Sequence, residues 1–154
     1  MVKIKNRPIT LSIQKEGLQH TYEALIEKIE EKRGKLICIM NLQPTLESEF
    51  YKVKICYAQN KWRPQVWLLS PKLVRKPEHL YGSDKFGNPC LCVYTPKEWN
   101  PTKMTLAKVF VPWIVTWLYA YEAWVITGKW LYQSTPHPSR SKKKQVFNRL
   151  HNYR

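Results

Sequence analysis

The stretch Gly87-Asn88-Pro89-Cys90-Leu91-Cys92-Val93-Tyr94-Thr95-Pro96-Lys97-Glu98-Trp99-Asn100-Pro101 sets two cysteines in a short apolar strand, residues 90–94. Turn-forming Gly87, Asn88 and Pro89 precede it, and a Trp-x-Pro corner follows. A thiol presented at the edge of a sheet is well placed to meet a carbonyl carbon. Residues i and i+2 of a strand point to the same side, so periodicity alone does not choose between Cys90 and Cys92.

Upstream, Leu18, Tyr22, Leu25, Ile26 and Ile29 recur at helical spacing among Glu and Lys residues. This predicts an amphipathic helix over 18–33, with Gly34 as its stop. Three strand signals follow. Residues 36–42 are a continuous apolar run closed by Gln43-Pro44, and residues 50–58 alternate Tyr51, Val53, Ile55 and Tyr57 against Lys52, Lys54 and Cys56. After a turn at Gln59-Asn60-Lys61, residues 65–69 form the third, and Pro71 ends it. Short turns between successive strands predict an antiparallel meander. Residues 70–89 read as loop.

Downstream, Thr102 or Thr105 can cap a short helix. A longer helix over 112–127 is expected, with Pro112 in its first turn and Gly128 just past its end. Its aromatics Trp113, Trp117, Tyr121 and Trp124 form a stripe that reads as core. The apolar segment 106–126 contains Lys108, Pro112 and Glu122, and its uncharged part falls short of the ~20 residues a membrane span needs, so a buried helix is expected. The run 139–154 is basic and poor in apolar residues, and reads as a tail on a domain spanning 1–138.

A chain of 154 residues suits one domain able to bury about two-thirds of its unfolded surface. Its formal net charge is +15, which favours acidic partners or nucleic acid. The N-terminus lacks an apolar h-region with a small-residue cleavage site, so a reducing, cytoplasmic setting with free thiols is expected. Cys38 and Cys56 lie within strand-like runs and read as buried structural residues. No Gly-rich phosphate loop, Ser-His-Asp pattern or paired-carboxylate motif occurs, and no cofactor is expected. Zinc could draw on His79, Cys90, Cys92 and His137, but Cys-x-Cys is not a common structural spacing, so no metal is expected either.

The order of helix, meander, cysteine segment and C-terminal helices is that of an α+β, ubiquitin-conjugating-enzyme-like (UBC-like) fold. Specific blocks carry the resemblance further: Leu42-Gln43-Pro44-Thr45; 50–57; 64–73; His79-Leu80-Tyr81; Leu91-Cys92-Val93-Tyr94 with Pro96 and Trp99; Pro112-Trp113 through Trp117-Leu118; Tyr121-Glu122-x-Trp124; and Thr127-Gly128-x-Trp130. Over residues 36–138 the chain resembles the ubiquitin-conjugating-enzyme-like proteins of bacterial CBASS antiviral operons. The family block Leu-Cys-aliphatic-aromatic-x-Pro lands on Cys92, the preferred nucleophile. The general pattern Gly-x-x-Cys-Leu lands on Cys90, the alternative. His79 matches the histidine opening the active-site loop, and reads as a loop brace more than as a base. Leu80-Tyr81 stands where ubiquitin-conjugating enzymes carry Pro-Asn, so the oxyanion role of that Asn does not transfer; Tyr81, Asn88 and backbone N–H groups are the candidates here.

The resemblance implies a cysteine acyltransferase. It would take the C-terminus of a cGAS-like nucleotidyltransferase as a thioester and pass it to a lysine of a target protein, with or without a separate activating enzyme, to prime second-messenger synthesis. Two alternatives stand beside it: a non-catalytic basic module binding nucleic acid, and a scaffold binding the nucleotidyltransferase.

Overall fold

The computed structural model describes residues 6–131. Thr10 caps the first helix, its hydroxyl accepting from the Ile13 N–H at 3.2 Å. Helix α1 (Leu11–Tyr22) buries Leu11, Gln14 and Leu18, which lie along one stripe. A 3₁₀ turn (Glu23–Leu25) then redirects the chain into strand β1 (Ile26–Lys32).

The expected helix over 18–33 is therefore corrected: it starts earlier and stops at Tyr22, and its second half is a strand. The Ile26 and Ile29 spacing fits a helix, but this segment's backbone hydrogen bonds go to β2 (Lys35–Leu42) in an antiparallel ladder. Arg33 and Gly34 both have positive φ, 54° and 72°, and join Lys32 to its partner Lys35. Gly34 is thus half of a two-residue hairpin turn, whose twist suits the flanking strands, and no helix stop.

Strands β3 (Tyr51–Ala58) and β4 (Gln65–Ser70) complete the meander close to the expected positions. Two more strands, β5 (Leu80–Ser83) and β6 (Pro89–Leu91), extend the sheet in the order β1-β2-β3-β4-β6-β5, all pairs antiparallel. The stretch 70–89 expected as loop thus contains a strand, and the strand expected over 90–94 is shorter and starts at Pro89.

Strict alternation in β3 buries Tyr51, Val53, Ile55 and Tyr57 and turns Lys52, Lys54 and Cys56 to the other face. Cys38 is buried in the core as expected, whereas Cys56 is only half-buried, on the opposite face from the core row. All four cysteines are free.

Thr105 caps the C-terminal helical segment through the Lys108 N–H at 3.2 Å. One π-helical stretch (Leu106–Phe110) runs directly into helix α2 (Val111–Thr127), which Gly128 ends at φ 74°. The segment Leu106–Thr127 is long and apolar enough by length and composition to cross a membrane. Its Leu106, Phe110, Ile114, Trp117, Leu118 and Tyr121 join the same core cluster as the buried faces of α1 and β2–β4. Buried Gln14 ties the two helical regions together, donating to the Met104 carbonyl at 3.1 Å and accepting from the Leu106 N–H at 2.8 Å. The basic run 139–154 and His137 lie outside the described residues.

Candidate active site

Strand β6 meets β4 through one residue pair, Trp67 with Cys90. Across the sheet Trp67 pairs with Lys54, whose ammonium sits 5.3 Å from the Trp67 ring centre. Val66 and Leu68, the neighbours of Trp67, are buried in the core. Cys90 therefore belongs to the sheet face turned away from the helices, while Leu91 joins the core.

Both candidate thiols are buried, but unequally. Cys92 is 0% exposed and Cys90 6%. Cys90 lines a pocket of about 330 Å³ with Lys61, Arg63, Pro64, Gln65, Tyr81, Leu91, Tyr94 and Pro96. Burial pushes the Cys90 thiol up to about 11; a hydrogen bond from the Val66 backbone amide opposes this, and the neighbouring Cys92 adds to it. At neutral pH Cys90 thus holds its proton.

The pocket wall is a relay of tyrosines. Tyr81 donates to the Tyr94 carbonyl at 2.9 Å, and Tyr94 donates to the Pro64 carbonyl at 2.7 Å. Burial raises the Tyr94 phenol, against the pull of the Arg63 guanidinium. From the core side Trp113 stacks on Tyr94, with ring centres 5.7 Å apart and planes 21° off parallel, and Trp99 and Phe110 close around it. Trp99 is itself fixed by donating to the Tyr57 hydroxyl at 3.1 Å. Of the aromatic stripe of α2, Trp117 and Tyr121 are core as expected, whereas Trp113 and Trp124 are only partly buried against it, and Trp113 backs the cysteine segment.

His79 lies half-buried at the entrance to β5. Its carbonyl accepts from the Cys92 N–H and from the Trp117 indole N–H, each at 3.1 Å. Its ring lies 4.4 Å from that of buried Trp130, which packs edge-on against Trp117. The structure thus brings His79 and Cys92 together through the main chain, and ties both to α2.

The loop between β5 and β6 is built on Asp84. Its Oδ1 accepts from the Phe86 and Asn88 N–H groups, both at 2.9 Å, and its Oδ2 accepts from the Asn88 side-chain amide at 3.0 Å. Burial works to raise the Asp84 carboxyl, but these hydrogen bonds and nearby Lys54 outweigh it and hold it below the usual range. Asn88, one of the oxyanion candidates, therefore serves its own turn, whereas Tyr81 reaches the pocket.

Sequence reasoning did not single out Lys61 or Arg63. They flank Trp62, which has φ 49° and packs edge-on against Tyr57 at 5.7 Å. The only signal was a Lys-Trp-Arg triplet in a turn, and its proximity to Cys90 depends on β4 pairing with β6. Among the described residues no group of three His, Cys, Asp or Glu side chains is arranged to hold a metal ion.

Residues 14–138, most of the chain, match a family model described as Type II CBASS E2 protein. No curated protein matches.

Proposed function

We propose, for a chain that belongs to the Type II CBASS E2 family, a thioester-forming acyl transfer of the kind ubiquitin-conjugating enzymes perform. The family gives the E2-like role within a CBASS system. The observation that carries the chemistry is a pair of cysteines at the end of β6, Cys90 in the strand and Cys92 just past it, one of whose thiols lines a pocket. The order of α1, antiparallel meander, cysteine segment and α2 supports a UBC-like fold.

In this reading a cysteine thiolate attacks the activated C-terminal carbonyl of the donor. A carbon–sulfur bond forms, and the bond to the activating group breaks with its electron pair. The amine of an acceptor lysine then attacks the thioester, the carbon–nitrogen bond replaces carbon–sulfur, and the amine's proton leaves to solvent. No metal or cofactor enters. By resemblance the donor is the C-terminus of a cGAS-like nucleotidyltransferase in the bacterial cytoplasm, and conjugation primes second-messenger synthesis.

The Leu-Cys-aliphatic-aromatic-x-Pro register assigns the nucleophile to Cys92. A second assignment, Cys90, is favoured by a specific observation: it lines the pocket, whereas Cys92 is fully covered. His79 acts as a positioning residue, its carbonyl holding the Cys92 amide.

The test mixes the protein with a candidate nucleotidyltransferase and an activating system, then compares wild type, Cys90→Ser and Cys92→Ser on non-reducing gels. A thiol-sensitive adduct lost in Cys92→Ser, or retained there as a thiol-resistant ester, supports the first assignment. The same pattern at Cys90 supports the second. No adduct in wild type, with activation demonstrated in parallel, overturns the acyltransfer reading in favour of a scaffold.

A further inference from the structure

The pocket beside the cysteines has a one-sided charge. Its lining residues include two cations, Lys61 and Arg63, and no carboxylate. Both side chains are exposed, and among the described residues neither forms an ion pair. Elsewhere the same protein does pair its cations: Lys52 sits 3.0 Å from Glu27.

The placement of these two charges is also fixed. The β3–β4 turn is closed by the Lys61 and Trp62 amides, which both donate to the Ala58 carbonyl at 3.2 and 2.8 Å. Trp62, held in a left-handed backbone conformation against Tyr57, nails the turn to the core between them. A non-glycine residue with φ near 49° is uncommon and persists where the surroundings enforce it. Buried Pro64 follows directly, and its carbonyl is held by Tyr94. The backbone carrying Lys61 and Arg63 is thus anchored at one end to the core through Ala58 and Tyr57, and at the other to Tyr94, which also walls the thiol pocket.

We propose that Lys61 and Arg63 select an acidic acyl-donor tail: a C-terminal peptide with carboxylate side chains a few residues before the end that reaches the cysteines. This rests on the acyl-transfer reading for its biological purpose, though the binding step is independent of which cysteine reacts. The reacting carboxylate loses its charge once activated, so the two cations address side chains upstream of it. Tyr81, Tyr94 and Pro96 supply the flat walls for an extended chain, and the cations fix its register and speed its arrival.

The experiment uses the full chain and two fluorescein-labelled ten-residue peptides. One has two glutamates among the five residues before its C-terminus; the other has glutamines at those positions. Fluorescence anisotropy at low and at moderate salt should show the glutamate peptide binding at least tenfold more tightly. Lys61→Glu/Arg63→Glu should remove that preference, and Cys90→Ser/Cys92→Ser should keep it. Equal binding of the two peptides, or unchanged preference in the charge-reversed variant, overturns the proposal. So does tighter binding of a single-stranded RNA 12-mer that competes off the glutamate peptide. The gel assay separates the two claims. Adduct formation at the wild-type rate in Lys61→Glu/Arg63→Glu sinks the tail selection and leaves acyl transfer standing. Selective peptide binding with no adduct sinks acyl transfer and leaves the binding site standing.

Discussion

The Cys92 amide donates to the His79 carbonyl at 3.1 Å, so the histidine entering β5 and the second cysteine leaving β6 are locked backbone to backbone. The link survives any change of the His79 side chain. That gives a clean way to separate bracing from proton transfer. His79→Ala should change the adduct-forming rate less than about threefold, and the rate should keep its shape between pH 6 and 8. A general base with an ordinary histidine pKa would instead contribute an inflection near 6.5, lost in the variant. Its disappearance in stopped-flow or quenched-gel kinetics would reassign His79 to the chemistry.

The ring of His79 rests on Trp130, and Trp130 on Trp117. Trp130→Ala removes a large buried ring from this layer and should cost about 3 kcal/mol in urea unfolding. Trp130→Phe should recover more than half of that. A loss below about 1 kcal/mol for the alanine variant would mean that the layer does not hold α2 to the cysteine segment.

Alkylation should report the two thiols separately. The Cys90 thiol is pushed up to about 11 by burial, so its labelling by iodoacetamide should rise about tenfold per pH unit from pH 7 to 10, without the plateau near 9.0 of an ordinary thiol. Cys92, fully covered, should label more slowly than Cys90 in the native protein at every pH in that range. Peptide mass spectrometry resolves the sites once trypsin is supplemented with a second protease. Faster labelling at Cys92 would show that the segment opens readily.

Stability should fall in alkali before the tyrosines contribute. Burial raises the thiols of Cys38, to about 12, and of Cys90, to about 11, from an ordinary 9.0. The folded chain then holds these protons more tightly than the unfolded chain. Their contribution is intact below pH 9 and is lost as pH climbs through the folded values, with a slope of up to about 1.4 kcal/mol per pH unit per thiol. Urea midpoints between pH 8.5 and 10 should show this decline, and Cys38→Ala should make it shallower. A flat profile would mean that these thiols are less enclosed.

Gln14 is the buried polar residue joining α1 to the entry of the C-terminal helical segment. Gln14→Leu leaves the Leu106 N–H and the Met104 carbonyl without their partner, and should cost about 2–3 kcal/mol in chemical denaturation. Gln14→Glu sets an ionisable carboxyl, fully buried, against the Met104 carbonyl, so near neutral pH it should cost at least as much as the leucine variant. A neutral leucine variant would show that water replaces the side chain.

Much of this architecture was legible in the sequence. Alternation in β3, the apolar run of β2 and the Pro112–Gly128 punctuation of α2 each reflect a strong local preference that tertiary packing reinforced. The segment 26–32 looks helical in sequence because two isoleucines three apart among charged residues satisfy a helical period, while the pairing with β2 that makes it a strand is not written in its own residues. Arg33-Gly34 carries a hairpin signal that looks like a helix stop until both φ values are known. The two cysteines are legible as a candidate site, but their unequal covering is not. Nor was the cationic rim, because 26 Lys and Arg residues make any two of them unremarkable until β4 and β6 bring Lys61 and Arg63 beside a thiol.

Strand β6 is in ladder register with β4 at one residue pair, whereas β2 and β3 share eight. Amide exchange should therefore proceed in two tiers. The β5–β6 hairpin opens as a small cooperative unit, at a free-energy cost well below that of unfolding the four-stranded meander. A covered sulfur can then be reached without dismantling the protein, through a thinly populated excursion of one corner whose frequency mutations in that hairpin can tune while the scaffold keeps its melting temperature.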